Sequence, residues 1–239
     1  MESRVFLQPA YVLHRRPFKN TSLLIDFFSI DYGRIRAVAK GARREKSKYR
    51  PFLQLFHPLL VSFSGRGEVK TVSGLESSLS AIKLEGDRLF SGLYVNELLA
   101  RLLLNHVEHT GLYKIYQDTL IALQGSRAIE VVLRNFELKL LAELGYGINL
   151  DADCNTHAPI RRARNYRFTP DIGFELAEHE STADNSNRVF RGEHLIALRQ
   201  LELRDRESAQ SAKRLLRIAL DAHLGGRPLN SRNLFVHKA

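Results

Sequence analysis

Gly33–Arg50, GRIRAVAKGARREKSKYR, joins an alternating strand pattern to a dense basic run whose one acid is Glu45. Successive strand side chains point to opposite faces, so Arg34, Arg36 and Lys40 share one face while Ile35, Ala37 and Ala39 line the other. The basic run continues through Arg43, Arg44, Lys46, Lys48 and Arg50. A row of that length suits a polyanion held along a surface better than a small substrate held in a pocket. A merely solvated charged face would carry the same pattern.

Outward from this stretch, the chain up to about Leu79 reads as short strands: Ala10–His14, Ser22–Phe28, Arg34–Lys40, Leu59–Phe63 and Glu68–Val72. They are separated by Pro17, the Asp31-Tyr32-Gly33 turn, Pro51, Pro58 and Ser64-Gly65-Arg66-Gly67, which are turn signals. Five short strands with one basic face fit an OB-like barrel, a fold that commonly binds oligonucleotides across a sheet face, although a small SH3-like barrel or a structural sandwich would leave much the same pattern. Phe27, Phe28, Phe52, Phe56 and Phe63 lie within apolar runs and are assigned to the core. Tyr32 and Tyr49 neighbour charge and are the candidates for stacking on bases.

From Leu84 the period becomes helical. Arg88–Val107 carries Leu89, Leu93, Leu98 and Leu102; Leu112–Leu123 and Ile129–Leu144 follow, the last stopped by Gly145; a later helix covers Glu207–His223 before Leu224-Gly225-Gly226. Between Tyr146 and Arg191 the pattern weakens to a polar insertion, with Tyr166–Phe168 and Gly173–Leu176 as a small hairpin. The predicted class is therefore α+β: a barrel domain over residues 1–80, then a mainly helical domain over 81–239 with a loop-rich insertion at about 146–191.

The 239-residue chain carries a formal charge of +10. Residues 1–80 hold 14 Lys and Arg against 6 Asp and Glu, and the remainder holds 22 against 20, so the basic function belongs to the N-terminal third. One cysteine, Cys154, excludes an intramolecular disulfide. No run of about 18 apolar residues is present, and the N-terminus lacks a signal-peptide core. A cytoplasmic protein with no membrane role is expected.

Catalytic signals are weak. Cys154 and His157 form half of a zinc pattern, with His179 the nearest further ligand, but a structural site needs four ligands rich in thiolate. Gly65, Gly67 and Gly74 lack the lysine and hydroxyl of a phosphate-binding loop. A magnesium-dependent nuclease would need clustered carboxylates, and Asp26, Asp31 and Glu45 have no recognised spacing. On the last helix Lys213 and Arg217 share a face with Arg214 beside them, and Arg134 sits among Val131, Val132 and Leu133. A basic rim around apolar helical surface would suit a short peptide ending in hydrophobic residues and a carboxylate.

Three segments carry a further signal: Val12–Ser47, VLHRRPFKNTSLLIDFFSIDYGRIRAVAKGARREKS; Ser91–Leu103, SGLYVNELLARLL, with Phe136–Gly147, FELKLLAELGYG; and Gly225–Phe235, GGRPLNSRNLF. In order and spacing they resemble the RecO family of bacterial DNA-repair and recombination mediators, and Val38–Arg44, VAKGARR, is the most specific piece. The resemblance implies an N-terminal OB-fold and a helical domain that bind single-stranded and double-stranded DNA and anneal complementary strands. It also implies help, together with RecR, in loading RecA onto DNA coated by single-strand-binding protein (SSB). Such a protein is a nucleoid-associated mediator without cofactor or catalytic residues. Arg34, Arg36, Lys40, Arg43, Arg44, Lys46 and Lys48 are then the expected phosphate contacts. Arg134, Lys213, Arg214 and Arg217 are the expected contacts for the acidic, hydrophobic SSB C-terminal tail. Some family members carry a four-cysteine zinc element in the region of Tyr146–Arg191, which Cys154 alone cannot form. Asn20 and Asn230 stand where the family commonly has Glu and Lys. The rival to a mediator is a protein-interaction scaffold without DNA affinity.

Overall fold

The computed structural model describes residues 4–177 and 187–238. Compactness divides the chain into two units, one of residues up to Ser126 plus the segment from Leu229, the other Arg127–Pro228.

Unit 1 opens with five strands, β1 (Arg4–Phe18), β2 (Ser22–Ser29), β3 (Gly33–Ala39), β4 (Leu59–Ser64) and β5 (Val69–Ser77). They close in the order β1-β2-β3-β5-β4, and only the β3–β5 pair is parallel. Each of the five expected strands is present. Alternation builds the interior: Ala10, Val12, Ile25, Phe27, Ile35, Ala37, Ala39, Val61 and Phe63 point inward and are buried, which is the hydrophobic driving force for closure.

The outward face of β1 and β2 is not wet. Tyr11 and Phe28 are fully buried and meet Tyr113 and Tyr116 of α2 (Thr110–Gln124), with ring centroids 5.1 to 6.0 Å apart. Asn96 of α1 (Gly86–Leu102) donates to the carbonyls of Val12 and Leu13 and accepts from the Tyr116 hydroxyl at 2.7 Å. Burial pushes the Tyr116 phenol well up, so this aromatic cluster is neutral at any physiological pH. The leucine stripe expected on α1 is only partly the buried one. Leu98 is enclosed, while Leu89, Leu93 and Leu102 are half-buried. The buried face instead runs through Ser91, Gly92, Val95, Asn96, Leu98 and Leu99, and it packs closely at Gly92, where a Cβ would stand 2.7 Å from Phe56 and 2.8 Å from Leu84. A 3-10 segment, Asn230–Lys238, returns to α1. There Glu97 accepts the N–H groups of Asn230 and Ser231 and the Ser231 hydroxyl, and pairs with Arg101 at 2.7 Å.

Unit 2 holds α3 (Ile129–Glu143), a three-stranded antiparallel sheet ordered β7-β6-β8, and helices α4 (Gly192–Gln200) and α5 (Arg206–His223). The expected hairpin is β6 (Asn165–Thr169) with β7 (Gly173–Leu176); β8 (Val189–Arg191) adds a third strand on the other edge of β6. Gly145, in the left-handed region at φ 85°, ends α3 as expected, donating to Ala142 while Tyr146 donates to Leu141. Asp205 caps α5 by accepting the Ser208 N–H at 2.7 Å. The apolar stripe of α5, from Ala212 through Leu215, Leu216 and Ala219 to Leu220, is buried.

Candidate nucleic-acid interface

The barrel brings the basic residues of Gly33–Arg50 to its surface in two different states. Arg34 and Arg36 stand on the outer side of β3, as their alternation with Ile35 and Ala37 requires. Both are claimed by one carboxylate: Asp26 Oδ1 accepts from Arg34 Nη2 at 3.2 Å and from Arg36 Nε at 3.0 Å. Arg34 also donates to the Leu103 carbonyl at 3.4 Å. Neighbouring β2 therefore neutralises half of the charge on this strand face.

Beyond Ala39 the situation reverses. Lys40, Arg43, Arg44, Lys46, Lys48 and Arg50 are all exposed, and none of them forms an ion pair with a described carboxylate. The segment is not a loose loop. It winds in successive turns, Arg44 donating to Gly41, Ser47 to Arg44, and Leu53 to Tyr49, while Ala42 and Leu53 plug into the barrel core. Side chains on such a scaffold hold their spacing, which lowers the ordering cost when a charged strand binds.

The scaffold extends to residues that sequence reasoning did not select. The Arg43 N–H donates to the Thr21 carbonyl at 2.8 Å, and its guanidinium reaches the carbonyls of Lys19 and Asn20 at 3.4 Å. The β1–β2 hairpin thus lies against the basic segment and adds exposed Arg16 and Lys19 to the same rim. Arg15 binds the Leu53 carbonyl and the Gln54 side chain, pinning the far end of the segment to β1. Arg15 was visible in sequence, but only its long-range hydrogen bonds show that it meets the end of the Lys40–Arg50 row.

Of the two tyrosines expected to stack, Tyr32 is exposed and packs edge-on against Phe63, 5.6 Å between centroids. Tyr49 is half-buried, donates to the Ser73 carbonyl at 3.3 Å, and lies beneath the Lys48 ammonium at 5.2 Å. Tyr49 sits within the basic row and Tyr32 at the opposite end of β3. Phe27, Phe28, Phe56 and Phe63 are core residues, and Phe52 is half-buried against the core.

The helical candidates are mostly occupied within unit 2. Arg134 is only 7 % exposed and bonds Glu137 at 2.6 Å. Arg214 donates to the Val189 carbonyl at 2.7 Å and covers the Phe190 ring at 4.5 Å, and burial lowers its pKa. Arg217 pairs with Asp221 at 3.7 Å, and Lys213 faces solvent.

The Cys154–His157 loop is a hydrogen-bonded turn. Asp153 accepts from the N–H groups of Asn155, Thr156 and Leu176, and these bonds, that of Thr156 first, hold its carboxyl below the usual range. Burial pushes the Cys154 thiol up, away from the thiolate a metal prefers. Among the described residues no three His, Cys, Asp or Glu side chains gather as a metal site; His179 lies outside the described residues. With one cysteine, the donor set does not fit a four-cysteine zinc element. No described helix is long and apolar enough to cross a membrane.

Comparison with known proteins agrees with this architecture. Residues 1–80 match the family model "Recombination protein O N terminal", and residues 84–233 match "Recombination protein O C terminal". The DNA repair protein RecO of Coxiella burnetii (strain RSA 331 / Henzerling II) is 41 % identical over 234 residues, covering 98 % of this chain and 99 % of that protein. Its namesake in Klebsiella pneumoniae (strain ATCC 700721 / MGH 78578) is 44 % identical over 229 residues, covering 95 % and 91 %. That of Yersinia pestis (strain Pestoides F) is 44 % identical over 232 residues, covering 95 % and 93 %. A barrel carrying a rigid basic rim, two matched family models and relatives alike over nearly their whole length lead to one assignment: the chain belongs to the RecO family of DNA repair proteins.

Proposed function

We propose that the protein is a recombination mediator that acts by binding at the nucleoid, not by bond-making chemistry. The rim formed by Lys40, Arg43, Arg44, Lys46 and Lys48, extended by Arg16 and Lys19, tracks the phosphates of single-stranded or duplex DNA. It does so with little sequence preference, because phosphate contacts carry no sequence information. The observation that carries this reading is the row of exposed, unpaired cations on a turn scaffold fixed to the barrel. Arg34 and Arg36, held by Asp26, shape the adjoining surface. Two backbones neutralised together repel less, which promotes annealing. Lys213 and Arg217 on α5 meet the SSB C-terminal tail, with Arg134 and Arg214 holding the surface beneath them. With RecR, this brings RecA to SSB-coated DNA. Asp26 is already committed to two arginines, which argues against the magnesium-nuclease alternative built on Asp26, Asp31 and Glu45.

The test is a fluorescence-anisotropy titration of labelled oligo-dT at several salt concentrations, with and without an SSB tail peptide. Tight binding that falls steeply with salt, and a separate response to the peptide, supports the mediator. Peptide binding without any DNA affinity supports the scaffold instead.

A further inference from the structure

The insertion in unit 2 holds a second basic cluster. Pro159–Phe168, PIRRARNYRF, contains four arginines and no acid. Arg161, Arg162 and Arg164 are exposed. The two carboxylates whose backbone is bonded to this loop are engaged elsewhere: Asp151 pairs with Arg199 at 2.7 Å and Glu193 with Arg191 at 2.8 Å. Among the described residues, no carboxylate forms an ion pair with any of these three guanidinium groups.

The backbone beneath them is fixed. Ile160, itself buried, donates to the Asp151 carbonyl at 2.9 Å, and the Arg161 N–H donates to the hydroxyl of buried Tyr166 at 2.9 Å. The carbonyls of Arg164 and Arg162 accept the first N–H groups of α4, from Gly192 at 2.7 Å and Glu193 at 3.2 Å. These helix-end donors would otherwise lack partners. The approach is so close that a Cβ on Gly192 would stand 2.0 Å from the Arg161 oxygen. Carbonyls turned in toward the helix leave the side chains turned out. A turn closed by Arg164 N–H to Arg161 O at 3.2 Å brings the first and last of the three together.

We propose that Arg161, Arg162 and Arg164 form a second nucleic-acid phosphate site, on a different compact unit from the barrel rim, which holds the second strand during annealing. Guanidinium groups present forked donors that match phosphate oxygens. The segment exposes no large apolar side chain, so an acidic peptide with hydrophobic anchors finds no seat there, whereas a phosphate backbone needs none. The proposal rests on the nucleic-acid reading of the barrel and adds to it a place for a second strand.

The test uses full-length protein and two non-complementary oligonucleotides carrying a donor and an acceptor dye, with anisotropy of a single labelled strand as the control. Expected for R161A/R162A/R164A is loss of bridging fluorescence transfer and slower annealing of complementary strands, with single-strand binding at the barrel retained. The salt slope of second-strand capture falls by about 2, since each single-strand phosphate contact contributes about 0.7. R161K/R162K/R164K, which keeps the charge, retains bridging. Unchanged bridging in the alanine variant overturns the inference while leaving the barrel reading intact. Capture of an SSB tail peptide, lost in that variant while strand bridging persists, also overturns it and assigns the loop to a protein. Wild-type protein that binds no DNA at all overturns both readings.

Discussion

Asp26 and Arg36 face each other across the β2–β3 ladder, and the carboxylate oxygen that accepts from Arg36 at 3.0 Å also accepts from Arg34. Arginines that alternate with core residues are here partly structural, while the lysines and arginines past the strand end are free. Asp26→Asn should lower stability by about 1–3 kcal/mol, because two half-buried cations lose their partner. The same change should strengthen DNA binding and steepen its salt dependence. Denaturant midpoints and salt-series anisotropy read the two effects, and a variant weaker in both would contradict this division.

Arg43→Ala with Arg44→Ala should weaken binding to every DNA sequence alike. Two lost contacts flatten the single-strand salt slope by about 1.4. Both side chains are exposed, so stability should move by no more than about 0.5 kcal/mol. A sequence-dependent loss would point to base contacts in place of phosphate tracking.

Asn96→Leu should cost about 2–4 kcal/mol, since it removes three buried hydrogen bonds, to the Val12 and Leu13 carbonyls and from the Tyr116 hydroxyl. Chemical denaturation measures it, and near-wild-type stability would show that the α1–barrel seam is not held this way.

Arg134→Ala should destabilise the protein by about 3–5 kcal/mol, because Glu137 at 1 % exposure loses its cation. Lys213→Ala with Arg217→Ala should leave stability nearly unchanged while weakening capture of an SSB tail peptide. Equal peptide affinity in that double variant would remove α5 as the docking face.

Burial alone would raise the Glu97 pKa, but the Ser231 hydroxyl and N–H, the Asn230 N–H and Arg101 outweigh it and hold the carboxyl below its ordinary value. A lowered folded-state pKa contributes stability above the unfolded value of about 4.3, and this is lost as pH falls through the folded value. Limited proteolysis should therefore release the segment from Asn230 onward more readily below about pH 4, and Glu97→Gln should do so at neutral pH.

The barrel was legible because turn signals separate its short strands and because β3 alternates: Ile35, Ala37 and Ala39 against Arg34 and Arg36 announce two faces. What alternation cannot report is which outer faces are wet. Tyr11 and Phe28 read as ordinary barrel residues, yet they lie under α2 through contacts some hundred positions away. The same non-locality hid Arg16 and Lys19, whose hairpin meets the basic row through bonds from Arg43 to the Lys19, Asn20 and Thr21 carbonyls. In unit 2, α4 has nine residues and β8 three, too short for their periods to stand out beside a polar insertion. Arg134 looked like a rim residue because helical spacing gives a direction and not a depth.

The strap from Leu229 has a bearing on biosynthesis. Unit 1 is discontinuous in sequence, and its closing piece is translated only after all of Arg127–Pro228. While the ribosome is still making unit 2, the barrel must stand on its strands and first two helices. During that interval Glu97 has Arg101 alone, and the arrival of Asn230 and Ser231 supplies the remaining donors. Docking of the strap on α1 is thus a late step in the maturation of unit 1, possible only once all of unit 2 has been made.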